Sequence, residues 1–244
     1  MGKVICVIQA HTTSTRLPKK VLKTLGNKIM LHHVVERVKQ ANQVDDVIIA
    51  TTIEPEDDGI VEFCEANNIH YYRGSDKNVL ERYVGAVNQF DGDIIIRITS
   101  DCPLIEPKII DQVVNFFKEN NFDYVSPSTD MGLIRGLDTE VFSADALHKA
   151  KDLACEDSHF EHVTLYMYKH PDKFNIGRPE IDDIYKDSNI RLCVDEADDF
   201  KLIEHLYHHF YNGQNIVDLA QCLQYVRENH QVRDINKNVL QKHA

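Results

Sequence analysis

The sequence predicts an α/β fold, a doubly wound parallel sheet with helices on both faces. Short, continuous apolar runs rich in β-branched residues recur through the first half of the chain, as parallel strands buried on both faces require. Between them lie amphipathic stretches of about ten to fourteen residues, the length of crossover helices. The size agrees: 244 residues, 43% of them hydrophobic, suit one domain with an ample core.

The elements follow in order. Lys3–Gln9 (KVICVIQ) reads as a buried strand, Ala10–Lys20 as a polar loop and Met30–Ala41 as a helix. Val47–Thr51 is a second strand, Glu56–Asn67 a helix, His70–Arg73 a short third strand and Val79–Phe90 a helix. Asp93–Ile98 (DIIIRI) is the fourth strand, followed by a loop over Thr99–Pro107 and a helix over Lys108–Asn120. The second half is less regular. Tyr124–Ser126, Thr139–Phe142, Phe174–Arg178 and Arg191–Val194 read as extended, and Phe160–Lys169, Phe200–Tyr211 and Val217–Asn229 as helical. This gives a single domain over residues 1–229, irregular at about 128–190, and a polar, loosely docked tail over 230–244. In such a sheet ligands bind beyond the carboxyl ends of the strands, here after Gln9, Thr51, Arg73 and Ile98.

A formal net charge of -12 argues against a general nucleic-acid binder, while leaving room for a local positive pocket that takes a small anion. Cys6, Cys64, Cys102, Cys155, Cys193 and Cys222 are dispersed without a C-x-x-C pair, so buried, reduced thiols are expected rather than a disulfide framework. The N-terminus lacks signal-peptide architecture and no apolar run is long enough to span a bilayer, so a cytoplasmic protein without a membrane partner is expected.

Three segments carry chemistry. The first loop, Gln9-Ala-His-Thr-Thr-Ser-Thr-Arg-Leu-Pro-Lys-Lys, combines small hydroxyl residues with Arg16, Lys19 and Lys20 directly after a buried strand. Such a turn can cradle phosphate, or it is a solvated basic loop. The fourth strand runs into Ser100-Asp-Cys-Pro, where Asp101 is placed either to hold Mg²⁺ or to cap the next turn. Arg191-Leu-Cys-Val-Asp-Glu-Ala-Asp-Asp repeats that arrangement with Asp195, and Asp198 reads as a helix N-cap. His159 and His162 flank Glu161 at a spacing that suits a structural or substrate hydrogen-bond role better than zinc. His32-His33 and His208-His209 read as helix-surface residues.

The run Ser14-Thr-Arg-Leu-Pro-Lys-Lys-Val-Leu, with Gly26-Asn-Lys and Met30, resembles the opening of the CMP-sugar synthetases, the acylneuraminate and 3-deoxy-manno-octulosonate cytidylyltransferases. Ile49-Ala-Thr-Thr, Arg73-Gly-Ser-Asp, Leu80-Glu-Arg-Tyr and Arg97-Ile-Thr-Ser-Asp-Cys-Pro-Leu-Ile are more similar still to the subgroup of spore coat polysaccharide biosynthesis protein F. Gly136-Leu-Asp-Thr-Glu-Val-Phe, Glu161-His-Val-Thr and Val194-Asp-Glu-Ala-Asp-Asp continue the resemblance in order, over roughly residues 3–205.

The resemblance implies a nucleotide-diphospho-sugar-transferase-like, three-layer fold with a mostly parallel mixed sheet. It implies CTP and a sugar-like acceptor as substrates, Mg²⁺ as cofactor and a homodimer as the assembly. Ser14, Arg16 and Lys20 would hold the triphosphate, and Thr51, Gly74 and Arg82 the base and ribose. Gln9, Ala10, His11 and Ser100 complete the candidate nucleotide-binding set. Asp101 and Asp195 match the metal-binding aspartates, and Arg16, Lys20 and Asp101 are the candidate catalytic residues. Gly136, Asp138, Glu140 and His162 fall where the acceptor is expected. Two positions depart from the family pattern: His11 stands where Arg is usual, and Lys19 where Gly is usual. The first exchanges a permanent bidentate phosphate donor for a group that is mostly neutral at pH 7.

The expected reaction is in-line transfer of CMP to an acceptor hydroxyl with release of pyrophosphate. Two other classes share the fold: a glycosyltransferase using an intact nucleotide sugar, and a non-catalytic partner protein. The basic first loop favours a triphosphate over a diphosphate sugar, and the retained Arg16, Lys20, Asp101 and Asp195 argue against loss of activity.

Overall fold

Residues 2–127 and 131–241 are described by a computed structural model of the chain. Strand β1 (Val4–Gln9) leads through the first loop and a 3-10 turn at Lys20–Leu22 into a small hairpin, β2 (Thr24–Leu25) and β3 (Lys28–Ile29). Helix α1 (Met30–Val38) connects to β4 (Asp46–Thr52), and α2 (Asp58–Ala66) to β5 (His70–Gly74). Then follow α3 (Val79–Phe90), β6 (Ile94–Thr99), α4 (Pro107–Glu119) and β7 (Tyr124–Val125). Strand β8 (Glu140–Ser143) runs straight into α5 (Ala144–Leu153), and two short helices follow, α6 (Asp157–Glu161) and α7 (Leu165–Lys169). Strand β9 (Ile176–Gly177), α8 (Ala197–Phe210), α9 (Leu219–Glu228), a short helix α10 (His230–Arg233) and a 3-10 turn at Asp234–Asn236 close the order.

The main sheet has the order β5-β4-β1-β6-β8-β7-β9. The first four strands are parallel, as the apolar runs predict; β8 is antiparallel to β6 and β7, which makes the sheet mixed. Burial alternates along β1. Val4, Cys6 and Ile8 enter a core shared with α1, α4, α8 and α9, whereas Ile5 and Val7 enter a second core with α3, α5 and α7. Helices on both faces therefore make three layers.

Several sequence expectations are corrected. Helix α5 was not anticipated, although Ser143 caps it by accepting from the Ala146 N–H and Ala146, Leu147 and Ala150 are its buried face. The expected helix over Phe160–Lys169 is two helices, broken where His162 leaves helical geometry before the β-branched Val163 and Thr164. Arg191–Val194 is not a strand; it makes one isolated bridge, Arg191 to Arg135. Asp198 is not the cap of α8. That position is Glu196, in a capping box with Asp199. His33 is buried, not on the surface, because its Nε2 bonds the Leu25 carbonyl at 2.8 Å and its ring packs on Tyr207 and Tyr211. In the tail from 230 onward Val232 and Ile235 pack on the core, and Asn236 is 5% exposed, its Nδ2 donating to Arg191 O at 3.0 Å and Asp199 Oδ1 at 2.8 Å. Residues 242–244 of that tail, and 128–130 at the start of the irregular region, lie outside the described residues.

Candidate active site

The first loop leaves β1 at Gln9 and is closed on itself by Lys19 N–H donating to Thr12 O at 2.9 Å. Thr12 in turn is stapled to the segment after β4. Its N–H and hydroxyl donate to Asp57 Oδ1 at 2.7 and 2.8 Å, and the Thr52 hydroxyl donates to Asp57 Oδ2 at 2.5 Å. Asp57 is fully buried and was not singled out from the sequence. Ser14 stays local, accepting from Leu17 N–H at 3.4 Å. The 3-10 turn then directs Lys20 inward, where it is 7% exposed.

Asp101 follows β6, and the backbone brings Asp195 beside it. Val194 N–H donates to Asp101 O at 2.8 Å, and Leu192 N–H to Arg135 O at 2.8 Å. Gly136 makes this approach possible: at φ 97°, a Cβ there would lie 2.6 Å from Cys193 N and 2.7 Å from Leu192 C. Lys20 Nζ joins the two carboxylates, 2.9 Å from Asp101 Oδ2 and 3.2 Å from Asp195 Oδ1, and also donates to Val194 O at 2.7 Å. Arg16 Nη2 reaches Asp195 Oδ1 at 2.9 Å. The far side of Asp195 is held by Arg191, whose Nε pairs with Asp199 at 3.0 Å. Asp199 also accepts from the N–H groups of Asp195 and Glu196, at 2.9 and 3.1 Å. Neither Arg191 nor Asp199 stood out in the sequence, since each looks like an ordinary helix-end charge.

Burial pushes the Asp101 carboxyl up, but the Lys20 ammonium beside it prevails and holds it below its ordinary 3.8. Burial likewise disfavours charge on Lys20, and the two carboxylates outweigh it, raising the amine above 10.5. Lys20 and Asp101 are thus ionised as a pair. Asp101 Oδ2, Asp195 Oδ1 and the Val194 carbonyl turn hard oxygen donors toward one cation, the donor chemistry that Mg²⁺ takes while keeping water and phosphate as its other ligands.

A cleft of about 650 Å³ opens alongside, lined by Gln9, His11 and Thr13 from the β1 side, Asp76–Val79 and Arg82, and Asp157 and Phe160–His162. Burial lowers the His11 imidazole below its ordinary 6.5 despite Asp57 and Asp76, so it is neutral at pH 7, and its Nδ1 lies 2.8 Å from the Thr13 hydroxyl. Among the described residues, three buried side-chain polar atoms lack a hydrogen-bond partner: Arg16 Nη1, Thr51 Oγ1 and Arg82 Nε. All three belong to the candidate nucleotide-binding set. Buried polar atoms are almost always satisfied, so these three atoms are donors and acceptors that a polar ligand can engage. Gly74 lies against Arg82, where a Cβ would come within 3.0 Å of its Cγ. Ala10 and Ser100 are buried, their N–H groups bonded to Ala50 O at 3.1 Å and Gln9 O at 3.3 Å.

The acceptor set is not gathered in the same way. His162 lines the cleft, and Gly136, Asp138 and Glu140 do not. Glu140 is committed internally, accepting from Arg97, from the Tyr124 hydroxyl at 2.5 Å and from the Thr164 hydroxyl at 2.7 Å. Asp138 accepts from Gly136 N–H at 3.0 Å, and burial raises its carboxyl above 3.8. Among the described residues no three His, Cys, Asp or Glu side chains form a metal cluster, and His159 serves the capping box of α6. The described cysteines are free thiols, all buried except Cys155. No helix among the described residues is long and apolar enough to cross a membrane.

The chain is 43% identical over 240 residues to an uncharacterized protein of Methanocaldococcus jannaschii, covering 98% of this chain and 97% of that one. It is 32% identical over 212 residues to the spore coat polysaccharide biosynthesis protein SpsF of Bacillus subtilis, covering 85% and 87%. A solved cytidylyltransferase from Leptospira borgpetersenii superposes with a TM-score of 0.89 at 28% identity, over 100% of both chains. The fold is that of the nucleotide-diphospho-sugar transferases. The family profile described as Cytidylyltransferase matches residues 5–231, and the chain accordingly belongs to the cytidylyltransferase family of nucleotidyltransferases.

Proposed function

We propose that the protein transfers CMP from CTP to a hydroxyl of a sugar acid or related sugar, releasing pyrophosphate, in the synthesis of a surface glycan precursor. The observation that carries the nucleotide half is the set of unsatisfied buried atoms on Arg16, Thr51 and Arg82, of which Arg82 lines a cleft together with Gln9 and His11. In this reading the acceptor oxygen attacks the α-phosphorus, the bond to the bridging oxygen of pyrophosphate breaks, and the hydroxyl proton leaves. Arg16 and Lys20 neutralise the charge that accumulates on pyrophosphate. Asp101 and Asp195 hold Mg²⁺, which when bound supplies Lewis acidity toward the phosphate oxygens. Neutral His11 contributes a hydrogen bond where an arginine would contribute charge.

The test is pyrophosphate release from CTP and Mg²⁺ across a panel of sugar acids and amino sugars. Acceptor-dependent release should fall by about 100-fold or more in Asp101→Asn, with the unfolding temperature little changed. Undiminished turnover in that variant contradicts the metal role of Asp101. Transfer from an intact nucleotide sugar, with CTP inert, favours glycosyl transfer instead.

A further inference from the structure

We propose that Lys20 is a built-in counter-ion of the metal carboxylates, which keeps free divalent metal out of the site and admits it together with a triphosphate. This rests on the reading that Asp101 and Asp195 hold the metal.

The geometry leaves Lys20 nothing to spare. Its three N–H donors match three acceptors, Asp101 Oδ2 at 2.9 Å, Asp195 Oδ1 at 3.2 Å and Val194 O at 2.7 Å. Its side chain is 9% exposed. The other oxygen of each carboxylate is already engaged, Asp195 Oδ2 by Arg191 and Asp101 Oδ1 by the Cys102 thiol at 3.5 Å. The oxygens turned toward a metal are therefore the ones Lys20 occupies, with Arg16 sharing Asp195 Oδ1 and Lys20 joining both carboxylates. A bare divalent cation competing for them must leave a buried ammonium without partners, which is costly.

A triphosphate removes that cost, because its oxygens are new acceptors for the displaced ammonium. Arg16 shares Asp195 Oδ1 with Lys20 through its Nη2 at 2.9 Å, but its Nη1 has no hydrogen-bond partner and can receive a phosphate oxygen while that pair holds. Metal and nucleotide then help each other bind, by the same factor in either order. The two carboxylates stay aligned while the site waits, with Lys20 in place of the metal.

The test uses Mn²⁺ as the probe, its free concentration read from its electron paramagnetic resonance signal, with and without CTP. The wild-type protein should bind Mn²⁺ weakly alone and at least about tenfold more tightly with CTP, within the usual range of coupling between sites. Lys20→Met should bind Mn²⁺ alone at least about tenfold more tightly than wild type, and CTP should add little. Lys20→Gln provides the same comparison with a polar side chain that fills the site, and Mn²⁺ should raise the unfolding temperature of both variants more than that of wild type. Nucleotide-free variants that bind Mn²⁺ no more tightly than wild type overturn the proposal. Adding Asp101→Asn separates the two layers. If it abolishes Mn²⁺ binding in the presence of CTP while the Lys20 variants bind no more tightly, the metal reading stands and the counter-ion role falls; if Mn²⁺ binding is unchanged by it in every background, the metal reading falls as well.

Discussion

At position 19 the backbone is left-handed, with φ 55°, where the family usually carries glycine. Lys19 tolerates this because its N–H closes the first loop onto Thr12 O, and its exposed side chain meets no obstacle. A non-glycine residue in that region costs about 1–2 kcal/mol, against roughly 0.5–1 kcal/mol saved by the stiffer unfolded chain. Lys19→Gly is therefore expected to stabilise the protein by about 0.5–1 kcal/mol, a rise of about 1–4 °C in Tm. A fall in Tm would mean that the Lys19 side chain, and not only its backbone, holds the loop. The other departure, His11, behaves as the sequence suggested: burial makes it neutral, so the loop's positive charge comes from Arg16, Lys19 and Lys20.

At the scale of elements, two buried carboxylates hold the site's segments together. Asp57 fastens the first loop to the end of β4 through three hydrogen bonds from Thr12 and Thr52. Asp57→Ala strands those donors and is expected to cost about 2–4 kcal/mol in urea unfolding and to weaken CTP binding. Asp57→Asn should recover most of both losses, and equal damage by the two variants would show that the acceptor geometry is not what matters. Glu140 joins β8 to β6, β7 and the segment before α7. Burial pushes its carboxyl up, but Arg97 and the two hydroxyls prevail and leave it below 4.5. The unfolded chain then binds the proton more readily, so this contribution is complete above pH 4.5 and is lost as the pH falls below it. Glu140→Gln should be less stable than wild type at neutral pH and should lose less stability between about pH 5 and pH 3. Parallel acid limbs for the two proteins would contradict that assignment. These same segments mark where the sequence was legible. The apolar runs of β1, β4 and β6 announce themselves because both faces are buried, and their carboxyl ends locate Gln9, Thr51 and Asp101. Asp57, Arg191 and Asp199 are invisible to periodicity, since their importance comes from partners that only the tertiary fold supplies. Helix α5 was missed although its Ser143 cap was readable, because a face of alanines gives little hydrophobic contrast. Gly136 was legible as part of a motif, but its physical task of letting the 192–193 backbone pass was not.

For the whole molecule, the mixed sheet is what assembles the site. Parallel β1, β4, β5 and β6 present their carboxyl ends on one edge, and antiparallel β8 returns the chain so that residues 191–195 cross over the end of β6. A protein of net charge -12 thereby concentrates Arg16, Lys20 and Arg191 around two carboxylates, a local arrangement suited to a metal-bound polyphosphate. If this edge binds CTP with a divalent metal, thermal unfolding with Mg²⁺ and each of CTP, UTP, ATP and GTP will register it. At about one hundred times its dissociation constant a ligand stabilises by about 2.7 kcal/mol, or roughly 5–11 °C for a chain of this size. A shift of that order is expected with CTP, dependent on Mg²⁺ and absent from Asp101→Asn. A shift with another nucleotide and none with CTP, or no shift with any of them, would contradict it.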